Sequence, residues 1–218
     1  MRLINSIFLG SLVFVLVLSL VPCDAGEIIK TKVSVYMESL CPDCHAFIHI
    51  RLAPAFEKYS DYIQLDMVPF GNAKVIHHSN GSVEVDCQHG PQECVGNLYE
   101  ACATNLLQET DPKKLMKYFD CLTVNVDRTD IKKTAKTCAE SNEISFDTLS
   151  NCVDSNQGQD IILGYGERTR ALQGRSGVPA VAFDDVFKPD EQDDIVFKFE
   201  KILCEKLKGA KPSDCNAV

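Results

Sequence analysis

Two cysteines three residues apart, Cys41-Pro42-Asp43-Cys44, follow the alternating run Lys32-Val33-Ser34-Val35-Tyr36 and open a helical-looking segment from His45 to Leu52. A dithiol at a strand-to-helix turn constrains the fold more than any other feature of the chain, because its chemistry depends on the helix end beneath it. The first turn of a helix leaves backbone N–H groups unpaired and carries partial positive charge, which lowers the pKa of a thiol placed there. Cys41 is therefore the expected attacking sulfur. Cys44, one turn further on, is placed to resolve the mixed disulfide that forms on Cys41. The competing reading is a zinc site drawn from Cys41, Cys44, His45 and His49, the two histidines lying four apart on one helix face. Structural zinc sites usually take their second ligand pair from a separate segment, and Pro42 suits a redox turn. The dithiol is preferred, with no metal and no cofactor expected.

The chain begins Met1-Arg2, continues through Ile7-Phe8-Leu9 and the apolar run Leu12 to Leu18, and reads as a signal peptide over residues 1–25, cut after Ala25. Cys23 leaves with it, so the 11 cysteines become 10, and setting aside Cys41 and Cys44 leaves eight. Those eight, Cys87, Cys94, Cys102, Cys121, Cys138, Cys152, Cys204 and Cys215, suit four structural disulfides in an oxidising secretory route. Their pairing is not readable from sequence, although a local Cys204–Cys215 bridge would pin the Gly-Ala-Lys-Pro tail between them. A formal net charge of -9 with no basic block argues against nucleic acid or an anionic membrane as partner. No second apolar span follows, so no membrane association is expected after cleavage, and residues 26–218 suit one domain.

Along that domain, Val33 and Val35 point inward from a first strand, and Ile63-Gln64-Leu65-Asp66-Met67 repeats the alternation. The helix between them carries Ile48, Leu52, Ala55, Phe56 and Tyr59 at helical spacing, with Pro54 expected to kink it. Strand, dithiol, helix, strand is a βαβ unit, the opening of a thioredoxin-like α/β domain. Asn80-Gly81 between Val75-Ile76-His77 and Val83-Glu84-Val85 predicts a hairpin. Asn80-Gly81-Ser82 is also an acceptor for N-linked glycan at its tip, the alternative being an unmodified turn.

From about 90 to 173 the texture is of short, cysteine-bearing helices, an insertion before the C-terminal ββα half. Cys94, Leu98, Cys102 and Leu106 share a stripe expected to be buried; Asp111-Pro112 starts one helix; another runs Asp160 to Leu172 and ends at Gly174. Ser176 to Phe183 returns to strand. Pro179 is either an ordinary trans turn residue or, in a thioredoxin-like domain, a cis proline beside the dithiol, with the Val178 backbone free to pair with an extended substrate; the context favours the second. A closing helix spans Asp193 to Leu207, with Ile195, Val196, Phe199, Ile202 and Leu203 on one face.

The stretch Cys87-Gln88-His89-Gly90-Pro91-Gln92-Glu93-Cys94-Val95-Gly96-Asn97, ending at Cys102, matches C-Q-H-G-x-x-E-C-x-x-N-x-x-x-x-C at every fixed position. It resembles the gamma-interferon-inducible lysosomal thiol reductase family. The resemblance extends to Cys41 and Cys44, to Val68-Pro69-Phe70-Gly71-Asn72-Ala73, to Glu167-Arg168-Thr169 with Ala171-Leu172, and to Val178-Pro179. It implies a glycoprotein that reduces disulfides of protein substrates at acidic pH in endosomes and lysosomes, with Cys41 and Cys44 as the active pair and the signature residues structural. A small-thiol reductant is a candidate electron donor. The first strand leaves little room for a propeptide after the signal cut, and one sequon makes lysosomal delivery less assured, so secretion stays open. Asp43 disfavours the Cys41 thiolate, whereas a protonated His45 favours it in acid; a merely solvated His45 is the plain alternative. Outside enzymes, the competing function is a disulfide-stapled secreted binding module with an inert Cys41–Cys44 bridge.

Overall fold

A computed structural model describes residues 28–217. The expected signal segment, with Cys23 and the expected cut after Ala25, lies outside the described residues. In chain order the elements are β1 (Ile28–Ile29), β2 (Thr31–Met37), α1 (Pro42–Phe47), α2 (Ala53–Tyr59), β3 (Ile63–Pro69), β4 (Lys74–His77) and β5 (Val83–Asp86). Helices α3 (Pro91–Leu107), α4 (Pro112–Val124), α5 (Ile131–Ser141), α6 (Phe146–Val153) and α7 (Asn156–Ala171) follow. The chain then returns to β6 (Ala180–Phe183), β7 (Val186–Phe187), α8 (Gln192–Phe197), α9 (Phe199–Lys206) and β8 (Lys208–Gly209). The main sheet has the order β3-β2-β6-β7, with β2 parallel to β3 and antiparallel to β6. This is the expected thioredoxin-like α/β arrangement, its helices α3 to α7 lying in sequence between the two halves.

Strand β2 is central and covered on both faces. Val33, Val35 and Met37 join the large core with Phe47, Phe56, Phe119 and Phe199, while Tyr36 lies on the other face with Val68, Ala180 and Ala182, packed by Tyr165 and Leu172. Ser34 on that second face is buried because its hydroxyl donates to Asp66 at 2.6 Å, and Asp66 in turn pairs with Arg168 of α7. The alternation of a half-buried strand is thus present, but with polar residues satisfied under a helix rather than by water. At the other side of β6 the two-residue β7 leaves backbone groups unpaired. Gln192 covers them, accepting from the Val181 N–H at 2.8 Å and donating to its carbonyl at 3.0 Å.

Several elements depart from expectation for local reasons. Pro54 has no N–H to continue an α-helix, and its ring would press on the carbonyl four residues back. The chain widens into a π turn over Ile48–Leu52, where the Ala53 N–H reaches the Ile48 carbonyl, and the helix resumes without a break. The hairpin of β4 and β5 closes through a five-residue loop, 78–82, in which Asn80 Oδ1 accepts from the Ser82 N–H and hydroxyl. Helix α7 begins at Asn156, earlier than the apolar periodicity indicates, because Ser155 caps it through the Gly158 N–H. The closing helix is two, divided at Lys198 (φ -122°, ψ 37°). On α3 the expected stripe is buried only in part: Cys102 is buried, Cys94 and Leu98 are half-buried and Leu106 is exposed, and the face that also holds Glu93, Gly96, Asn97, Tyr99, Glu100 and Ala103 is the more buried.

The eight remaining described cysteines pair as Cys87–Cys94, Cys102–Cys152, Cys121–Cys138 and Cys204–Cys215. Cys102–Cys152 joins α3 to α6 across 50 residues of chain, whereas Cys87–Cys94 spans seven. If restricting the unfolded chain dominates, replacing both cysteines of the first bridge by serine costs about 4 kcal/mol and of the second about 2 kcal/mol. Urea unfolding of the two double variants is expected to rank them in that order.

Candidate active site

The ends of three strands meet at one edge of the sheet. Parallel strands β2 and β3 run out together, with Met37 opposite Pro69, and antiparallel β6 begins there, with Ala180 opposite Tyr36. The segments leaving these ends are Glu38 to Cys41, Phe70 to Asn72, and the loop that enters β6 through Val178 and Pro179. The Val178–Pro179 peptide is cis. Cys41 is the N-cap of α1: its sulfur accepts from the Cys44 N–H at 3.1 Å and stands 3.6 Å from the Val178 carbonyl. Both thiols are free and buried, Cys44 completely.

Their environments differ in sign. Hydrogen bonds from the Cys44 thiol and backbone N–H lower the Cys41 pKa from its ordinary value, against burial and the negative charges of Glu38 and Asp43. Burial, foremost, and the bond to Cys41 push Cys44 well up. One sulfur is prepared as a thiolate and the other keeps its proton, the asymmetry that an attacking and a resolving thiol require.

The loop that delivers Cys41 is held by residues distant in sequence. The Ser39 N–H donates to Asn97 Oδ1 at 2.8 Å and the Ser39 hydroxyl to the Glu93 carbonyl at 2.9 Å. Gly96 permits this approach, since a Cβ there would meet Ser39 Oγ at 2.2 Å. Arg128 donates to the Leu40 carbonyl at 2.8 Å. Glu38, 1 % exposed, accepts the Asn72 N–H at 2.7 Å; Gly71, at φ +63°, has no room for a Cβ against the Glu38 side chain. His89 places Nδ1 2.5 Å from Glu93 Oε2 and 3.5 Å from Glu38 Oε1. Gln88 accepts from Asn72 Nδ2 at 2.6 Å. The signature stretch, read from sequence as structural, therefore braces the dithiol loop itself. Sequence reasoning missed Glu38, Glu100 and Arg128 altogether. The available signal was the set of polar fixed positions at 88, 89, 93 and 97, which a pair of disulfides alone does not require.

His45 lies on the same brace. Its Nε2 is 2.7 Å from the Ser39 carbonyl, and burial lowers its pKa despite that contact. A lowered value reduces the imidazolium population in acid, contrary to the acid-dependent help expected of this residue. His49 turns outward to Asp120 at 2.7 Å, so Cys41, Cys44, His45 and His49 do not converge as metal ligands. Among the described residues, Glu38, His89 and Glu93 are the three whose donor atoms lie mutually within 4.8 Å. The 2.5 Å approach of His89 to Glu93 is hydrogen-bond spacing. It is too close for two ligands arranged tetrahedrally at zinc, which stand about 3.3 Å apart. Beside the dithiol, Ile50 and Phe197, both more than half exposed, share a groove with Arg51, Gly177, Val178 and Pro179. Asn80 is exposed at the hairpin tip. No helix among the described residues is long and apolar enough to cross a membrane.

Residues 32–142 match the family model described as gamma interferon inducible lysosomal thiol reductase (GILT). GILT-like protein 2 of Drosophila melanogaster is 32% identical over 181 residues, covering 82% of this chain and 81% of the relative. The gamma-interferon-inducible lysosomal thiol reductase of Carassius auratus is 32% identical over 186 residues, covering 84% and 71%. Among solved structures, DsbA of Chlamydia trachomatis superposes with a TM-score of 0.55 at 16% identity, covering 80% of this chain and 87% of that one. BdbD of Bacillus subtilis gives 0.50 at 14%, covering 78% and 88%. These two likenesses concern the fold.

Buried acid behind the loop gives the fold a pH dependence. Glu100 Oε2 has no hydrogen-bond partner among the described residues; burial first, then the charges of Glu93, Glu38 and Cys41, raise its pKa well above 4.5. A carboxyl with a raised folded-state pKa leaves stability intact below its unfolded value and removes it as pH rises through the folded value. The urea midpoint is expected to carry a destabilising contribution that grows as pH rises above about 4.5, the ordinary carboxyl value, and Glu100→Gln should remove it. The difference between variant and wild type across that range isolates this group.

Proposed function

Because this chain belongs to the gamma interferon inducible lysosomal thiol reductase family, we propose that it reduces disulfides of protein substrates through Cys41 and Cys44. The observation that carries the reading is the pair of free, unequal thiols at the start of a helix beside the cis Val178–Pro179 peptide. The Cys41 thiolate attacks one sulfur of the substrate disulfide, breaking that bond and forming a mixed disulfide, and the departing sulfur takes up a proton. Cys44 loses its proton and attacks Cys41 Sγ, releasing the second substrate thiol and closing Cys41–Cys44. Two electrons have then passed to the substrate, and two equivalents of an external thiol restore the dithiol and leave as their own disulfide. Val178 offers backbone to an extended chain, and Ile50 and Phe197 offer apolar contact beside it.

Work in the secretory route, with lysosomal or extracellular delivery, belongs to the same proposal; it is supported by the signal-like first residues, the exposed sequon and the word "lysosomal" in the relatives' names. A stapled binding module would need Cys41–Cys44 closed and inert, and mild reductant followed by thiol titration separates the two readings.

Cys44→Ala is expected to accumulate a mixed disulfide with a disulfide-containing protein, visible on non-reducing gels. Cys41→Ala should show none, with turnover at background for both variants. Equal trapping by Cys41→Ala would reverse the assigned roles. For the sequon, secreted expression should yield a glycosidase-sensitive mass that Asn80→Gln lacks, and identical masses before and after glycosidase would remove the glycan from the proposal.

A further inference from the structure

The sulfur that must be ionised to attack stands at the end of a tight turn closed by the Cys41 N–H on the Glu38 carbonyl at 3.3 Å. The Glu38 side chain, instead of reaching water, is enclosed at the same end of the sheet. Its Oε2 is engaged by the Asn72 N–H, and its Oε1 faces His89. Around it on α3 stand Glu93, fully buried, and Glu100, with an unpartnered oxygen. Arg175 approaches from the loop before β6, bound to Asn72 Oδ1 at 2.7 Å and to the Gly71 carbonyl at 3.4 Å. Cys41, Cys44, Asp43 and His45 complete the titratable groups, all from α1 and its N-cap, and Arg128 reaches the neighbouring Leu40 carbonyl. Three carboxyls and one imidazole thus occupy a largely dry space behind the dithiol. His89, its side chain 27 % exposed, is the member of that group that reaches solvent.

We propose that Glu38 is a positioning residue whose proton gates the dithiol: ionised, it suppresses the Cys41 thiolate by charge, and protonated, it lifts that suppression, so that the nucleophile persists in acid. The inference rests on the reading of Cys41 as attacking thiol and adds how the site is matched to pH. Its physical basis is that buried like charges repel strongly, so that the proton on one favours ionisation of the other. Burial, and after it the Glu93 charge, holds the Glu38 carboxyl above its ordinary range against the Asn72 N–H, His89 and Arg175. The Glu38 charge in turn opposes ionisation of both Cys41 and Cys44. As pH falls, Glu38 takes a proton and Cys41 becomes more acidic. The thiolate fraction then declines less steeply than that of an isolated thiol, which falls tenfold per pH unit.

The test follows iodoacetamide alkylation of Cys41 in the reduced, otherwise intact protein, between about pH 4 and 7.5. No substrate is present, so the result is independent of turnover. In wild type the plot of log rate against pH is expected to have a slope below one over the interval in which Glu38 titrates. Glu38→Gln, which keeps an acceptor for the Asn72 N–H and mimics the protonated state, should raise the rate at neutral pH by about threefold or more. It should leave the rate at pH 4 unchanged and give a steeper slope than wild type over that interval. Superimposable profiles for wild type and Glu38→Gln would overturn the proposal. So would a unit slope throughout in wild type, a measurement that stands even if the variant does not fold. Failure of Cys44→Ala to trap substrate, with the shallow slope retained, would instead remove the reductase reading and leave the coupling.

Discussion

The site depends on the pairing of one strand. Strand β2 is bonded to β3 on one side and β6 on the other, and because β3 is parallel and β6 antiparallel to it, two chain exits and one entry fall at the same edge. The dithiol loop, the Phe70-Gly71-Asn72 turn and the cis Val178–Pro179 peptide are neighbours for that reason. A slip of register by one residue would turn Val33, Val35 and Met37 out of the core and carry the Cys41 loop off its supports. Burial on both faces makes that slip costly, and Ser34, Asp66 and Arg168 show that even the polar positions on the second face have partners in only one register.

Strand pairing alone does not fix where a loop points. That task falls to α3, a helix outside the sheet, which presents Asn97 and the Glu93 carbonyl to Ser39 and the Glu93 side chain, through His89, to Glu38. The contacts are polar and buried, so each is expensive to leave half-made and together they specify a single arrangement. Close approach of α3 requires Gly96, and close approach of the turn after β3 requires Gly71.

Much of this was legible in the chain. The strand-dithiol-helix order, the thioredoxin-like class and the Asp111 cap follow from short-range signals, periodicity and turn chemistry, which act within a few residues. What stayed hidden depends on partners far away in sequence. The stripe on α3 misled because Glu93, Asn97 and Glu100 are buried for their bonds and position rather than their hydrophobicity, which periodicity counts the wrong way. For His45, adjacency to Cys41 in sequence says nothing about which group its ring meets; the ring meets the Ser39 carbonyl, and burial lowers its pKa. Glu38 carries no local signal of burial, since the groups that enclose it, the Gly71 turn and His89, come from distant parts of the chain.

The Cys87–Cys94 bridge ties off a ring that contains His89 and Glu93, two of the residues that brace the dithiol loop. A protein whose proposed trade is opening disulfides therefore depends for its own alignment on one that must stay shut. Opening this ring would cost the fold less than opening the 50-residue Cys102–Cys152 ring, since it encloses a shorter length of chain, yet it would free His89 from its place against both carboxylates.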